Sequence, residues 1–306
     1  MSREANTVRV QTRSQPTTPP GDQSSLARAL VAALRLAWFA LLGGLAVLGD
    51  VLADHSRPVQ VVATVMLWLG WSLTLLALLV PSTVTLTAAR LAVPVSVVVY
   101  AWATVEGAGA LAAVLAAVGL LASVLVLSAE VGEVFVQASA YGEERRLPLR
   151  APGPMLPVVA IAWALLVAAV VAGPLLLAAR AYVAGALVSV AAVVLVAVLS
   201  RRFHQLSRRW LVVVPAGLVV HDHTVLAETA MFPRAEVRGC ALALADTEAA
   251  DLTGGALGHA LELSLAEAAT VVLARTPSHP GGRALHARAV LLAPSRPGRA
   301  IAIVNR

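Results

Sequence analysis

The chain has 306 residues, of which 59% are hydrophobic and only 13% are charged, whereas charged residues make up about 25% of an average soluble domain. This composition excludes an intrinsically disordered chain and is atypical of a soluble globular protein. Every basic residue is Arg, the formal net charge is +6 and the sequence pI is about 10.8, so the position of the charge decides whether nucleic acid is a plausible partner.

Residues 1–25 differ in composition from everything that follows. They are rich in Ser, Thr, Gln, Pro and Arg and show no apolar period. Such a segment cannot bury enough apolar surface to fold, so the sequence predicts a disordered N-terminal tail.

Residues 26–206 are predicted to form an α-helical membrane bundle. Six apolar stretches in this region approach or exceed the length that crosses about 30 Å of hydrocarbon at 1.5 Å per residue, and backbone groups in lipid must be satisfied within the segment, which favours helices. The predicted transmembrane helices are 28–49, 59–80, 84–105, 108–128, 155–179 and 182–200. A cleaved signal peptide, with a small-residue site at Val51 and Ala53, is the alternative for the first stretch, and an uncleaved anchor is preferred because the stretch is long for a signal.

The distribution of arginine supports six spans and gives their orientation. Arg90 and Pro94 make the third stretch the weakest, but Arg90 lies near one end, where its side chain can snorkel to the interface. With the N-terminus inside, two arginines lie outside, Arg57 and Arg180, and thirteen lie inside. The inside set is Arg3, Arg9, Arg13, Arg28, Arg35, Arg90, Arg145, Arg146, Arg150, Arg201, Arg202, Arg208 and Arg209.

This bias predicts a multi-pass protein of the plasma (cytoplasmic) membrane with both termini in the cytoplasm. The lipid bilayer is therefore its first partner. The basic pI reports this orientation, and we expect no nucleic acid partner.

The predicted cytoplasmic loop 129–154 contains a pair of carboxylates. Glu130 and Glu133 share a face if the fourth helix continues past the membrane. An ion site or an acid–base site is one interpretation, but two Glu without a further ligand make a poor metal set. We prefer an Arg–Glu network at the cytoplasmic interface that joins these residues to Arg35 and Arg90.

Residues 207–306 are predicted to form a small β-rich cytoplasmic domain. Trp210–Val214, a Pro-Ala-Gly turn and Leu218–Val220 predict a hairpin. Further short apolar stretches separated by Gly, Pro and Asp predict an antiparallel barrel or sandwich. A closing helix is expected from about Arg296, with Pro297 in its first turn.

A six-span bundle followed by Arg208-Arg209-Trp210 and this hairpin resembles uncharacterised multi-pass membrane proteins of high-GC bacteria. Their C-terminal part is similar to a bacterial pleckstrin-homology-like domain, and Leu291–Gly298 resembles the last strand and helix start of such domains. The resemblance implies a curved antiparallel sheet closed by a C-terminal helix. It implies no activity.

The triplet His221, Asp222 and His223 is the second polar cluster. Two His at i and i+2 share one face of a strand and offer a two-point metal site, but polar residues at the end of a strand are the preferred interpretation. The single cysteine, Cys240, excludes an internal disulfide. Without a recognised catalytic or ligand motif, we assign no catalytic residue and expect no metal or cofactor.

These observations leave three functional hypotheses. The first is a membrane-anchored interaction or scaffold protein that presents its β-rich domain to a cytoplasmic protein partner. The second is a small-solute or ion transporter or channel, although no Asp, Glu or His lies deep within a predicted span. The third is a membrane enzyme that uses Glu130, Glu133, His221 or His223. The oligomeric state is open.

Overall fold

The structure, a computed structural model, describes residues 20–275 and 280–306. Its α-helices are α1 (Pro20–Ala40), α2 (Gly44–Leu52), α3 (Arg57–Leu79), α4 (Thr83–Ala92), α5 (Val95–Val105), α6 (Gly109–Leu127), α7 (Ala129–Gln137), α8 (Leu156–Ala178), α9 (Tyr182–Ser207) and α10 (Pro297–Val304). Its strands are β1 (Arg145–Pro148), β2 (Trp210–Val214), β3 (Gly217–His221), β4 (Ala230–Pro233), β5 (Val237–Leu242), β6 (Ala250–Asp251), β7 (Leu261–Leu273) and β8 (Arg283–Leu292). Residues 1–19 of the predicted tail lie outside the described residues, and α1 begins at Pro20.

The described residues contain six helical segments that are long and apolar enough to cross a membrane, as the sequence predicts. They are Ser25–Leu52, Arg57–Leu79, Thr83–Val105, Gly109–Leu127, Gly153–Ala178 and Tyr182–Ser207. The chain is therefore organised as a multi-pass membrane protein with a β-rich region after its last span.

The third span is broken at Pro94, which separates α4 from α5 because proline lacks the N–H of a continuous helix. Hydrogen bonds continue across the break: the N–H of Ser96 donates to the carbonyl of Val93 at 3.1 Å, and its hydroxyl donates to the same oxygen at 2.7 Å. Ser96 packs against Gly119 of α6, where a Cβ would lie 2.7 Å from the hydroxyl oxygen. Small residues thus allow the broken span to pack closely.

The first span changes to a short 3-10 segment at Leu41–Gly43 between α1 and α2. The hydroxyl of Tyr100 donates to the carbonyl of Leu41 at 2.8 Å. A Cβ on Gly44 would lie 2.5 Å from that hydroxyl, so glycine is required for this approach of α2 to α5.

In the part of the chain that the structure describes, the β-rich region contains two four-stranded sheets, with the orders β1-β2-β3-β4 and β5-β7-β8-β6. The sheets are not closed into a barrel, so the barrel alternative is wrong. All pairs are antiparallel except β6 with β8, which is parallel. The first sheet also takes strand β1 from the loop between α7 and α8, with Arg145 opposite Val213.

The inner faces of both sheets and α10 share one apolar core. This shared core includes Leu218 and Phe232 from the first sheet, Leu263 and Val290 from the second, and Val304 from α10. The predicted closing helix is present, with Arg296 at its N-cap and Pro297 in its first turn.

The first sheet is also packed against the membrane bundle. Trp210 and Val212 of β2 belong to the same buried cluster as Val131 and Phe135 of α7. Their neighbour Leu211 belongs to the shared core instead, because successive side chains of a strand point to opposite faces. The bundle and the β-rich region are therefore joined by continuous side-chain packing.

Candidate functional site

The predicted carboxylates Glu130 and Glu133 lie on α7 and face the start of α10. A carboxylate oxygen of Glu133 lies 3.1 Å from an Nη of Arg296, and its other oxygen pairs with Nε of Arg299. Glu130 lies 3.8 Å from Nε of Arg296. Glu133 is only 8% exposed, so these contacts neutralise a buried charge. The cluster attaches α10 to α7, which is separated from the fourth span by the extended residue Ser128.

Arg35 and Arg90 make a different kind of contact. Nε of Arg35 donates to the carbonyl of Leu78 in the last turn of α3 at 3.0 Å, and Nε of Arg90 donates to the carbonyl of Val126 at the end of α6 at 3.4 Å. The last carbonyls of a helix have no hydrogen-bond partner within that helix, and each guanidinium supplies one at the end of α3 or α6. The guanidinium also places positive charge at the negative end of the dipole of that helix.

Gly132 leaves room for the Arg90 guanidinium, since a Cβ there would lie 2.7 Å from an Nη atom. Within the described residues, neither Arg35 nor Arg90 forms an ion pair with Glu130 or Glu133. The structure therefore divides the four predicted interface residues between two kinds of contact. Arg35 and Arg90 contact helix-end carbonyls, and the two Glu contact arginines at the start of α10.

Asp222, the middle residue of the second predicted cluster, forms a buried ion pair with Arg209. Nε and one Nη of Arg209 donate to the two carboxylate oxygens at 2.8 and 2.6 Å, and both side chains are 1% exposed. Thr224 adds a hydroxyl and a backbone N–H to the same carboxylate, at 2.6 and 3.0 Å. Burial by itself raises the pKa of Asp222, but the Arg209 and Thr224 hydrogen bonds and the Arg209 charge outweigh it, so the pKa lies below the usual value.

This ion pair connects three segments of the chain. Arg209 joins the end of α9 to β2, and it also donates to the carbonyl of Arg150 in the segment that leads into α8. Asp222 follows β3. The pair therefore fixes the first sheet relative to the two last spans.

His221 and His223 flank Asp222 in the sequence. The side chain of Asp222 is buried, whereas His221 is partly buried and His223 is exposed. The His221 ring stacks on Trp210, with centroids 5.2 Å apart, and meets the edge of the His223 ring at 4.5 Å. Burial, followed by the charges of His223 and Arg208, lowers the pKa of His221 despite the opposing charge of Asp222. The surroundings of the ring therefore favour its neutral form over the charged form.

The importance of Arg209 was missed at the sequence level, although the predicted hairpin contained the signal. The observed register places Trp210 opposite His221 and Val214 opposite Gly217. Extending it by one position places Arg209 opposite Asp222, as cross-strand neighbours of opposite charge. Arg296 and Arg299 offered no such signal, because they are far from Glu133 in the sequence.

Among the described residues, no group of three or more His, Cys, Asp and Glu side chains is placed to hold a metal ion. Cys240 is buried in β5, and burial raises the pKa of its thiol to about 11.

No protein-family model matches this chain, and comparisons with curated proteins and with solved structures found no match. The functional argument therefore rests on the geometry described above.

Proposed function

We propose that this protein is a membrane-anchored interaction protein, in which the six-helix bundle holds the β-rich region at the cytoplasmic membrane surface for a protein partner. The observation that carries the proposal is the buried apolar cluster that Trp210 and Val212 of β2 share with Val131 and Phe135 of α7. A region attached in this way keeps a fixed position relative to the bilayer, which favours presentation of a defined surface.

The arginine distribution supports a cytoplasmic β-rich region and cytoplasmic termini. In the described part of the bundle, the span ends that adjoin the β-rich region carry Arg28, Arg35, Arg90, Arg201, Arg202 and Arg208. The opposite ends carry Arg57 and Arg180. This asymmetry has the sign of the positive-inside rule. A reporter that is active only outside the cytoplasm, fused after Arg306, is expected to be inactive, and activity would contradict this orientation.

A pleckstrin-homology-like arrangement of residues 207–306 is part of the proposal. Its support is the core shared by two sheets and the helix α10 that follows the last strand. Strand β1 adds residues 145–148 to the first sheet.

The function is tested by site-specific photocrosslinking of the full-length protein in its own cells. A photoreactive residue at Leu244, which lies beyond β5 and is 72% exposed, is expected to give a discrete protein adduct. The matched control is Val183 on α9, which is 78% exposed on an apolar helix and is expected to face lipid.

Transport is the alternative function, and the break of the third span at Pro94 is the observation in its favour. Interrupted helices form substrate and ion sites in many transporters. Solute flux in proteoliposomes that is lost in Arg90→Gln or Pro94→Ala, together with the absence of protein adducts at position 244, would favour transport and overturn the interaction function.

A further inference from the structure

The outer edge of β5 is paired with a side chain rather than with a strand. Among the described residues, β7 is the one strand that pairs with β5. On its other side, the N–H of Cys240 donates to Oδ1 of Asn305 at 2.9 Å, and Nδ2 of Asn305 donates to the carbonyl of Cys240 at 2.9 Å. The Asn305 amide thus makes the two hydrogen bonds that one residue of an adjacent strand would make.

This edge borders a groove of about 450 Å³, which we name the β5 groove. Its lining residues are Arg234, Val237, Arg238, Gly239, Cys240, Ala241, Ser264, Val304 and Asn305. Two of them are basic and none is acidic. The space beside Gly239 is free, since a Cβ there would have only Oδ1 of Asn305 within 4.0 Å.

Strand β1 shows the same kind of amide pairing in a covered setting. Gln137 accepts from the N–H of Arg146 at 2.9 Å and donates to the carbonyl of Glu144 at 2.8 Å. Here the amide belongs to α7, which packs directly on β1. At β5 the amide is the C-cap of α10, which also packs on its strand. The β5 edge differs because its amide borders a groove whose charged side chains are Arg234 and Arg238.

We propose that the β5 edge binds an extended acidic peptide segment of the partner by strand addition, and that Asn305 occupies the central hydrogen-bonding position until the segment binds. This inference rests on the proposed function and names the partner's chemistry. Backbone groups of the segment replace the Asn305 amide at Cys240. Carboxylates of the segment meet Arg234 and Arg238, whereas a second copy of this chain would bring its own arginines to the same place.

The test is peptide binding to the purified full-length protein in detergent, measured by fluorescence anisotropy. The probes are labelled eight-residue peptides that alternate Glu with Val or Thr. Matched peptides carry Lys in place of Glu, or N-methyl groups on alternate residues, which prevent strand pairing. We expect only the unmethylated acidic peptides to bind.

Three variants locate the binding site. Asn305→Ala should tighten binding about tenfold, because two hydrogen bonds of ordinary net strength no longer have to be displaced. Arg238→Glu should weaken binding by about tenfold or more through like-charge repulsion. Arg288→Glu, the same change at an exposed position of β8, should have no effect.

Failure of every acidic peptide to bind Asn305→Ala, in which the edge is open, would overturn the inference. Equal effects of Arg238→Glu and Arg288→Glu, or equal binding of N-methylated peptides, would also overturn it. Protein adducts at position 244 without peptide binding would overturn the proposed peptide site but would still support the proposed function. Peptide binding without protein adducts in cells would support the proposed peptide site and contradict the proposed function.

Discussion

The two sheets of the β-rich region differ in what covers them. Strand β2 of the first sheet is covered on both faces: Trp210 and Val212 face the bundle, and Leu211 faces the shared core. In the second sheet, burial alternates along Leu261–Leu265 of β7, with Leu buried and Glu262 and Ser264 partly exposed. The first sheet therefore connects the membrane bundle to the second sheet, and the second sheet has one face that is partly exposed.

The sequences of the strands carry this difference. Strand β2 is Trp-Leu-Val-Val-Val, a continuous apolar run that is typical of a strand buried on both faces. Strand β7 begins Leu-Glu-Leu-Ser-Leu, an alternation that is typical of a strand buried on one face. The hydrophobic pattern of a strand thus indicates whether one face or both faces of the strand are buried.

The largest expected effect comes from removing the buried charge pair of the connecting sheet. Asp222→Ala leaves Arg209 buried without its partner, so it should lower the free energy of unfolding by about 3–5 kcal/mol. The measurement is denaturant unfolding of the full-length protein in detergent. Asp246→Ala, at an exposed position, should change it by no more than about 0.5 kcal/mol. Equal effects at the two positions would refute the connecting role.

A smaller effect is expected at the contact between α7 and α10. Glu133→Gln removes the charge that Arg296 and Arg299 share, and charged hydrogen bonds contribute about 1.5–3 kcal/mol. The same unfolding experiment measures it, with Glu143→Gln at an exposed position as the control. Hydrogen exchange in α10 should rise in Glu133→Gln, and unchanged exchange there would show that the cluster does not hold the helix.

The smallest expected effect is the pH dependence that His221 contributes. Its pKa is lower in the folded protein than in the unfolded chain, so the unfolded state binds the proton first as the pH falls. The contribution of His221 to stability is therefore complete above its unfolded pKa of about 6.5 and is lost as the pH falls through its folded pKa. Thermal unfolding between pH 7.5 and 5 measures this loss.

His221→Phe is the matched variant for this experiment, because it keeps a ring on Trp210 and removes the titration. It should lower the dependence of Tm on pH in that range. If the dependence of Tm on pH were unchanged in this variant, groups other than His221 would cause it.

Local features of the fold could be predicted from the sequence, and long-range ones could not. Each span is a predominantly apolar segment, so hydropathy and the arginine distribution suffice to predict six of them. Strand β1 was not predicted, because Arg-Arg-Leu-Pro has no strand pattern of its own and its partner β2 begins far along the chain, at Trp210.

The candidate site follows the same division. The shared face of Glu130 and Glu133 follows from helical spacing, but their partner Arg296 is the N-cap of α10, far along the chain. Arg35 and Arg90 were expected to pair with carboxylates, yet their contacts are with helix-end carbonyls. Every residue has a backbone carbonyl, so residue types do not indicate such contacts.

The central claim is that the β-rich region is held rigidly on the bundle, and a distance measurement between spin labels tests it most directly. Leu36→Cys on α1 and Leu244→Cys beyond β5 place labels at positions that are 71% and 72% exposed. The native Cys240 is buried and its pKa is raised to about 11, so its thiol reacts slowly at neutral pH. Double electron–electron resonance should give one narrow distance distribution in lipid nanodiscs, which Asp222→Ala broadens. A broad or multimodal distribution in the otherwise unchanged protein would contradict the account.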